Sequence, residues 1–387
     1  LMIYLDYAAT TPMSEQALTT YTKVAREYYG NASSLHEEGT RAQQIVTASK
    51  QLIAQALGAS GRHLHVVSGA TEGNFLAIYA LLESVKQQDP SKKHILCSPI
   101  EHDSVLRVMN RLVAEGWQVE YLPLLDNGRV CFDQLKECCI ESTALIALQL
   151  VNSELGTHQP VGEIAEIARK MDIKVHCDAV QAFGKIPIDV QALGIHSLSI
   201  SAHKIYGPQG IGAVWLDPKV EWNGFFPSST SKKFRPGTLA VPSIAAFAAA
   251  TKGMIDEMEA EFVRVQHLRE AWVKALGDMP KPPIIEGAEG VDHQSPFILG
   301  LRFPGMEGQF LMLECDQAGL GISTGSACQS GTDEPNVSMK ALGRSEQEAR
   351  EFVRFSFGKG HYIEEIPHII EKIRTIIHRH YSHISTF

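Results

Sequence analysis

Between residues 60 and 216, short apolar runs alternate with longer segments of helical periodicity. Apolar strands that are continuous, rather than alternating with polar residues, are typical of parallel sheets covered on both faces. The pattern therefore predicts an α/β domain with a mostly parallel sheet, whose ligand site lies at the carboxyl ends of the strands. The predicted strands read "HVVSG", "KHILCSP", "VEYLPL", "ALIALQLV", "KVHCDAV", "SLSISA" and "IGAVWL".

A second region follows a long helical pattern near residues 252–277, which the break "DMPKPP" ends. Its apolar residues, from Met254 to Trp272, recur at helical spacing. Beyond it, "FILGLRF" predicts a strand, and "GQFLMLECDQAG" and "EEIPHIIEKIRTIIHRHY" predict helices. We expect a large domain over residues 16–252 and a smaller α+β domain formed by residues 1–15 and 253–387.

Composition narrows the class of protein. The 387 residues carry a net charge of -9, with 44% hydrophobic and 20% charged residues. This balance is that of a globular protein and argues against a general nucleic-acid binder, which needs a basic face. No apolar run approaches the roughly 20 residues that span a bilayer, and the first residues lack a signal-peptide pattern. We expect a cytoplasmic protein without membrane partners.

The seven cysteines are scattered, and several lie in apolar segments. Their spacing includes no CxxC pair, so it favours neither a disulfide framework nor a zinc site. The histidines of "HLH" and "HRH" lack a complementary ligand set and are interpreted as solvated or structural. No metal is expected.

Several polar residues follow the predicted strands. Lys204, in "SAHKIYGPQG", is either a solvated charge or a nucleophilic amine in a pocket. Asp178 and Gln181 follow another strand, His102 lies in "SPIEHDSV", and Ser153 lies in "VNSELGT". Helix capping explains each of these taken singly, as it does the loop "SGATEGN".

Together, these residues fit pyridoxal phosphate. This cofactor needs a lysine for a Schiff base and a carboxylate beside its pyridinium nitrogen. Lys204 and Asp178 supply these two groups. The "SGAT" segment offers a helix N-terminus for the phosphate, and the His102 imidazole can lie on the ring face.

The chain also resembles a known family in motifs that recur in order over nearly its whole length. We identify these as similar to the NifS/IscS-type cysteine desulfurases, class-V aminotransferases of the fold-type I pyridoxal-phosphate enzymes. The resemblance implies a large domain with a seven-stranded, mostly parallel sheet beside a smaller α+β domain. The motifs are "YLDYAATTP", "GNASSLH", "SGATEGN", "EHDSV", "HCDAVQAFGKIPID", "SAHKIYGPQGIG", "RPGT", "STGSAC" and "VRFSFG".

The resemblance implies a role for each matching residue. Lys204 forms the Schiff base and shuttles protons, and Asp178 pairs with the ring nitrogen. Gln181 binds the ring hydroxyl, and His102 stacks on the ring and helps in proton transfer. The phosphate is held by Ala70, Thr71, Ser201 and His203, with Thr238 contributed by the second subunit of a homodimer.

Further implied roles concern the substrate. Arg354 clamps the carboxylate of L-cysteine with its forked guanidinium. Asn31 is also implied to bind the substrate. Ser153 stands where the family has a second asparagine beside Asn152, which alters the contact to the ring oxygen. The segment "FPSSTSKKFRPGT" also departs from the family's glycine-rich pattern, which affects the subunit interface and the choice of partner.

Cys328 lies in the polar loop "STGSACQSGTDEP". From the sequence alone it is either an incidental surface cysteine or a reactive thiol. The resemblance implies that it attacks the sulfur of bound cysteine, leaving alanine and a persulfide. The sulfur then passes to a protein acceptor: an iron–sulfur scaffold, a tRNA-thiolating enzyme or a client apoprotein. Two alternatives stay open: a related aminotransferase or lyase without need of Cys328, and an inactive scaffold.

Overall fold

The computed structural model describes residues 2–224, 234–325 and 334–384. Its strands are β1 (Ile3–Tyr4), β2 (Leu64–Val67), β3 (His94–Cys97), β4 (Gln118–Tyr121), β5 (Thr143–Gln149), β6 (Lys174–Asp178), β7 (Ser197–Ser201), β8 (Gly212–Leu216), β9 (Ile284–Glu286), β10 (Ile298–Arg302), β11 (Leu320–Gly321) and β12 (Phe352–Ser356).

The α-helices are α1 (Glu15–Glu27), α2 (Glu37–Gln55), α3 (Ala70–Gln88), α4 (Asp103–Ala114), α5 (Phe132–Cys138), α6 (Val161–Lys170), α7 (Val190–Leu193), α8 (Val241–Gly277), α9 (Gly308–Gln317), α10 (Val337–Ala341), α11 (Glu346–Arg350) and α12 (Ile366–Ile384). None of the helices in the described ranges is long and apolar enough to cross a bilayer.

The seven apolar runs all form strands of one sheet, in the order β2-β8-β7-β6-β5-β3-β4. Only β8 is antiparallel to its neighbours, which confirms the predicted mostly parallel α/β fold. Successive side chains of a strand point to opposite faces. In β5, Leu145 and Ala147 pack in the cluster with α3 and α4, whereas Ile146 and Leu148 pack in the cluster with α2, α6 and the start of α8. Both faces are therefore covered.

A separate apolar cluster joins the second half of α8 to α9, α12, β10 and β12. Strand β1 pairs in parallel with β11, and Leu5 packs in the same cluster. Helix α8 runs without a break through the predicted boundary at residue 252. The division into two domains stays a prediction.

Because β3, β5, β6 and β7 are parallel, their carboxyl ends meet at one edge of the sheet. Asp178 ends β6, and the segments that follow β3, β5 and β7 carry His102, Ser153 and Lys204. This topology brings together residues that lie far apart in the sequence.

Candidate active site

A cavity of about 230 Å³ opens at this edge of the sheet. It gathers residues from five strand-end segments, the N-terminal segment and β12. Most of the predicted site residues of the described ranges lie in its wall. The lining residues are Ala8, Ala9, Ala70, Thr71, His102, Gln149, Val151, Ser153, Asp178, Val180, Gln181, His203, Lys204 and Arg354.

Lys204 ends the short 3-10 turn that follows β7. Its Nζ donates to the carbonyl oxygens of Ala8 at 2.5 Å and Ala9 at 2.6 Å. The N-terminal segment therefore crosses the site and holds the amine at the pocket wall. Lys204 is a pocket amine, and the alternative of a solvated charge does not describe it.

Asp178 is the last residue of β6 and is 7% exposed. Its Oδ1 accepts from the Val180 amide at 3.0 Å, and its Oδ2 accepts from Asn74 Nδ2 at 2.9 Å. Two donors thus fix the carboxylate at the wall of the cavity. A fixed carboxylate suits a protonated ring nitrogen.

Gln181 lies one helical turn beyond Asp178. Its Nε2 donates to the Ala8 carbonyl at 2.9 Å, and its Oε1 accepts from Lys185 Nζ at 3.1 Å. Burial, together with the charges of Lys204 and Arg354, lowers the pKa of Lys185 to about 7. Lys185 therefore fixes the orientation of the Gln181 amide, with the NH₂ group turned toward Ala8.

The start of α3 offers donors for an anion. No side chain caps this 19-residue helix, and the first amides of a helix have no intrahelical acceptor. Ala70 and Thr71, in that first turn, line the cavity. A Cβ built on Gly212 would lie 3.0 Å from Gly69 Cα, and Gly212 pairs with Ser201. The helix start therefore lies against the end of β7.

Ser201 ends β7 and does not line the cavity, whereas His203, two residues later, does. Ser201 Oγ is buried and has no hydrogen-bond partner within the described ranges. His203 Nδ1 lies 3.1 Å from Thr10 Oγ1, and burial, with the charge of Lys204, lowers the pKa of His203 to about 4. At neutral pH this imidazole is uncharged and keeps one N–H. A buried hydroxyl without a partner, on the strand end that lies against the start of α3, fits a phosphate group.

Arg354 reaches the cavity from the middle of β12 and is 2% exposed. Its Nη2 forms an ion pair with Asp6 Oδ1 at 2.6 Å, and its Nη1 donates to the Ser153 carbonyl at 2.8 Å. Its Nε is buried and finds no acceptor in the described part of the chain. The guanidinium is thus held rigidly and keeps a donor for a carboxylate.

Other predicted residues lie elsewhere. Asn31 is an exposed residue between α1 and α2, and its Oδ1 accepts from the Ser33 amide at 2.9 Å. Thr238 is also exposed and lies outside the cavity of its own chain. Cys328 lies outside the described residues. The roles of these three residues stay predictions.

Ser153 lines the cavity, as the sequence predicts. Its neighbour Asn152 does not, since its Nδ2 donates to the Ile100 carbonyl and its Oδ1 accepts from the Glu154 and Leu155 amides. The Asn152 side chain therefore holds the loop in shape. Of these two residues, only Ser153 lies where its side chain can contact a ligand in the cavity.

Two buried polar residues behind Asp178 are not among the residues that the sequence predicts for the site. Asn74 donates to the carboxylate, and His176 Nε2 lies 2.9 Å from Asn74 Oδ1. A signal existed for His176, because it lies two positions before Asp178 in β6 and therefore on the same face. Asn74 shows in the sequence only as a polar residue before the apolar stretch "FLAIYALL" of α3.

These residues fit pyridoxal phosphate: an amine, a fixed carboxylate, an anion site and an imidazole surround one cavity. Comparison with known proteins identifies the family. Residues 3–369 match the model of the aminotransferase class-V family, to which the chain therefore belongs.

Within that family the chain is similar to cysteine desulfurases of the NifS and IscS types, as the motifs predicted. It is 39% identical to the "Putative cysteine desulfurase NifS" of Bacillus subtilis, over 95% of this chain and 93% of the relative. It is 33% identical to "Cysteine desulfurase IscS" of Dictyoglomus turgidum, over 97% and 96%. A solved "NIFS-LIKE PROTEIN" superposes with a TM-score of 0.88 at 29% identity, covering 97% of this chain and 99% of that one.

Proposed function

We propose that the protein is a pyridoxal-phosphate-dependent cysteine desulfurase that converts L-cysteine to L-alanine and receives the sulfur on Cys328. The observation that carries this proposal is the convergence of Lys204, Asp178 and Arg354 on one cavity. The relatives at 39% and 33% identity, both named cysteine desulfurases, support it.

The residues at the end of β7 and the start of α3 would hold the cofactor. The free amides of α3, the Ser201 hydroxyl and the His203 imidazole bind its phosphate. Asp178 pairs with its ring nitrogen, and Gln181 Nε2 is oriented by Lys185 for the ring hydroxyl. When bound, pyridoxal phosphate supplies a carbonyl that condenses with amines and a ring that accepts electrons.

Lys204 Nζ is the amine that holds and transfers protons beside the reacting carbons. The Ala8 and Ala9 carbonyls accept its hydrogen bonds and keep it at the wall. Arg354, braced by Asp6 and the Ser153 carbonyl, binds the substrate carboxylate. This contact fixes the amino acid at one end and thereby restricts the positions that its α-amine and sulfur can take in the cavity.

The sulfur step balances without an outside oxidant. The Cys328 thiolate attacks the sulfur of the substrate; an S–S bond forms and the Cβ–S bond breaks. Cβ then gains a proton, so that the cysteine thiol and L-cysteine become a persulfide and L-alanine. A protein acceptor then takes the terminal sulfur: an iron–sulfur scaffold, a tRNA-thiolating enzyme or a client apoprotein.

The proposal includes a homodimer. Thr238 is exposed and lies outside the cavity of its own chain, which suits a residue that serves the cavity of a second copy. If sedimentation experiments show that the protein is a monomer under conditions in which it turns over rapidly, this part of the proposal is contradicted.

The decisive experiment measures alanine and sulfide released from L-cysteine in the presence of a thiol reductant. We expect both products, in equal amounts, from the wild type. Lys204→Ala and Cys328→Ala should lose at least 100-fold in turnover, since each removes a group that forms or breaks a bond. Cys131→Ala is the matched control, because Cys131 is a partly exposed cysteine outside the cavity.

Full turnover by Cys328→Ala would overturn the persulfide route and favour an aminotransferase or lyase. Bound cofactor without either product in the wild type would remove L-cysteine as the substrate, and amino-group transfer to a keto acid would then be measured.

A further inference from the structure

Behind Asp178, four buried polar side chains from two helices and two strands form one hydrogen-bonded chain that the proposed function does not use. Asn74 from α3 and Ser197 from β7 are fully buried, and His176 from β6 is 1% exposed. Ser104, in the first turn of α4, connects this chain to His102. Buried polar groups in such a chain have fixed partners, so their donors and acceptors can be assigned.

The carboxylate of Asp178 determines which groups donate and which accept at one end of the hydrogen-bonded chain. An ionised carboxylate only accepts hydrogen bonds, so the Asn74 nitrogen, 2.9 Å away, must face it. The second hydrogen of the same nitrogen is directed at Ser104 Oγ at 3.0 Å. Asn74 Oδ1 is then turned toward His176 Nε2 at 2.9 Å, which must carry a proton.

The protonation state of His176 is consistent with this orientation of the Asn74 amide. Full burial lowers the pKa of His176 to about 3, so the ring is neutral and has one proton. With that proton on Nε2, Nδ1 accepts from the Ser197 hydroxyl at 2.7 Å. Each polar atom of the Asn74 and His176 side chains is satisfied in only one arrangement.

The same assignment of donors and acceptors extends through Ser104 to His102 in the cavity wall. Since Ser104 Oγ accepts from Asn74, its own hydrogen is free for His102 Nδ1 at 2.8 Å. The Ser104 amide donates to the same nitrogen at 3.1 Å. His102 Nδ1 is therefore an acceptor of two hydrogen bonds, and a neutral His102 carries its proton on Nε2.

We propose that Asn74 is a positioning residue that couples Asp178 to His102. One amide holds the carboxylate in place for a ring nitrogen and, through Ser104, fixes the tautomer of the imidazole in the cavity wall. His176 fixes the orientation of that amide by donating a hydrogen bond to its oxygen. The link to a ring nitrogen rests on the proposed cofactor; the tautomer of His102 does not.

The first measurement records the ¹⁵N chemical shifts of the histidine rings in the full chain without cofactor, at pH 8. The His102 and His176 signals are assigned by their loss in His102→Asn and His176→Gln. We expect a protonated Nε2 and an unprotonated Nδ1 for both rings. A His102 ring protonated on Nδ1 would overturn the proposal, whether or not the protein is a desulfurase.

The second measurement is the dissociation constant for pyridoxal phosphate, by titration of the cofactor's absorbance. Asn74→Asp replaces the donor with a second carboxylate against Asp178, and we expect a rise of about tenfold or more. Asn152→Asp is the matched control: it makes the same change at an equally buried asparagine that holds a loop. An Asn74→Asp affinity equal to the wild type, or a rise no larger than in the control, would overturn the proposal.

The third measurement separates the hydrogen bond from packing, in case Asn74→Asp does not fold. His176→Gln keeps an N–H donor for Asn74 Oδ1, whereas His176→Leu keeps only the bulk. We expect the glutamine variant to keep the wild-type affinity for the cofactor and the leucine variant to bind it more weakly, because Asn74 Oδ1 then loses its donor. Equal behaviour of the two variants would assign His176 and Asn74 a packing role only.

Discussion

His176 should contribute to the sensitivity of the fold to acid, and its replacement by glutamine should remove that contribution. The folded pKa of His176 is about 3, because the ring is buried, whereas an unfolded histidine titrates near 6.5. Above pH 6.5 both states are neutral and His176 makes no difference. As the pH falls below 6.5, the unfolded chain binds a proton that the folded chain excludes, so stability falls until the pH reaches about 3.

The magnitude follows from these two pKa values. At pH 5 the unfolded histidine is 1.5 units below its pKa, and each unit corresponds to about 1.4 kcal/mol, so His176 lowers the free energy of unfolding by about 2 kcal/mol relative to pH 8. Glutamine does not titrate and retains the donor to Asn74. We therefore expect His176→Gln to lose about 2 kcal/mol less than the wild type between pH 8 and pH 5.

The assay is urea unfolding of the cofactor-free chain at both pH values, followed by tryptophan fluorescence and circular dichroism. Coincident transitions by the two probes are required, because a chain of this size can unfold through intermediates. His368→Gln serves as the control, since His368 is exposed on α12. If His176→Gln loses as much stability between the two pH values as the wild type, His176 is not held neutral by burial and the reasoning is refuted.

Two further substitutions probe the ends of the cavity. Arg354→Lys should raise the KM for L-cysteine about 10- to 100-fold while the affinity for pyridoxal phosphate is kept, because lysine cannot reproduce the fork that Asp6 and the Ser153 carbonyl brace; an unchanged KM in steady-state kinetics would remove Arg354 from substrate binding. Ser201→Ala should weaken cofactor binding about tenfold but leave the cofactor-free chain as stable or more stable, because its buried hydroxyl has no partner within the described ranges and an unsatisfied buried group costs free energy. Calorimetry with and without cofactor separates these effects, and a cofactor-free Ser201→Ala that melts well below the wild type would contradict the second expectation.

The sheet and the position of its ligand site could be predicted from the sequence because they depend on local patterns. Each of the seven apolar runs forms a strand, and the polar residues after them meet where parallel strands end. The start of α8 could not be predicted so well. The pattern placed the helix from about residue 252, whereas it begins at Val241. Its first ten residues are mostly alanine and other apolar residues buried in the main cluster, so they show no contrast between faces.

The contacts that tune the site were out of reach for a different reason. Asn74 and Asp178 are 104 positions apart, and Arg354 and Asp6 are 348 apart. Neither pair leaves a periodic trace in one sequence. Family motifs identify the residues proposed to hold a cofactor, but the role of a buried amide is apparent only when its donors and acceptors are known in three dimensions.

The N-terminal segment shows how such distant contacts set the geometry of the cavity. The Ala8 carbonyl accepts from both Lys204 and Gln181, while the Ala8 amide donates to Ser356 Oγ at 2.9 Å. Ser356 lies two residues after Arg354 at the end of β12, and its amide donates to the Leu5 carbonyl. One short stretch of backbone is therefore bound on one side to the amine and on the other to the strand that carries the guanidinium. It follows that main-chain hydrogen bonds of Leu5, Ala8 and Ala9 help to set the spacing between the groups proposed for the cofactor and for the substrate carboxylate, and that only proline among side-chain substitutions would remove one of them.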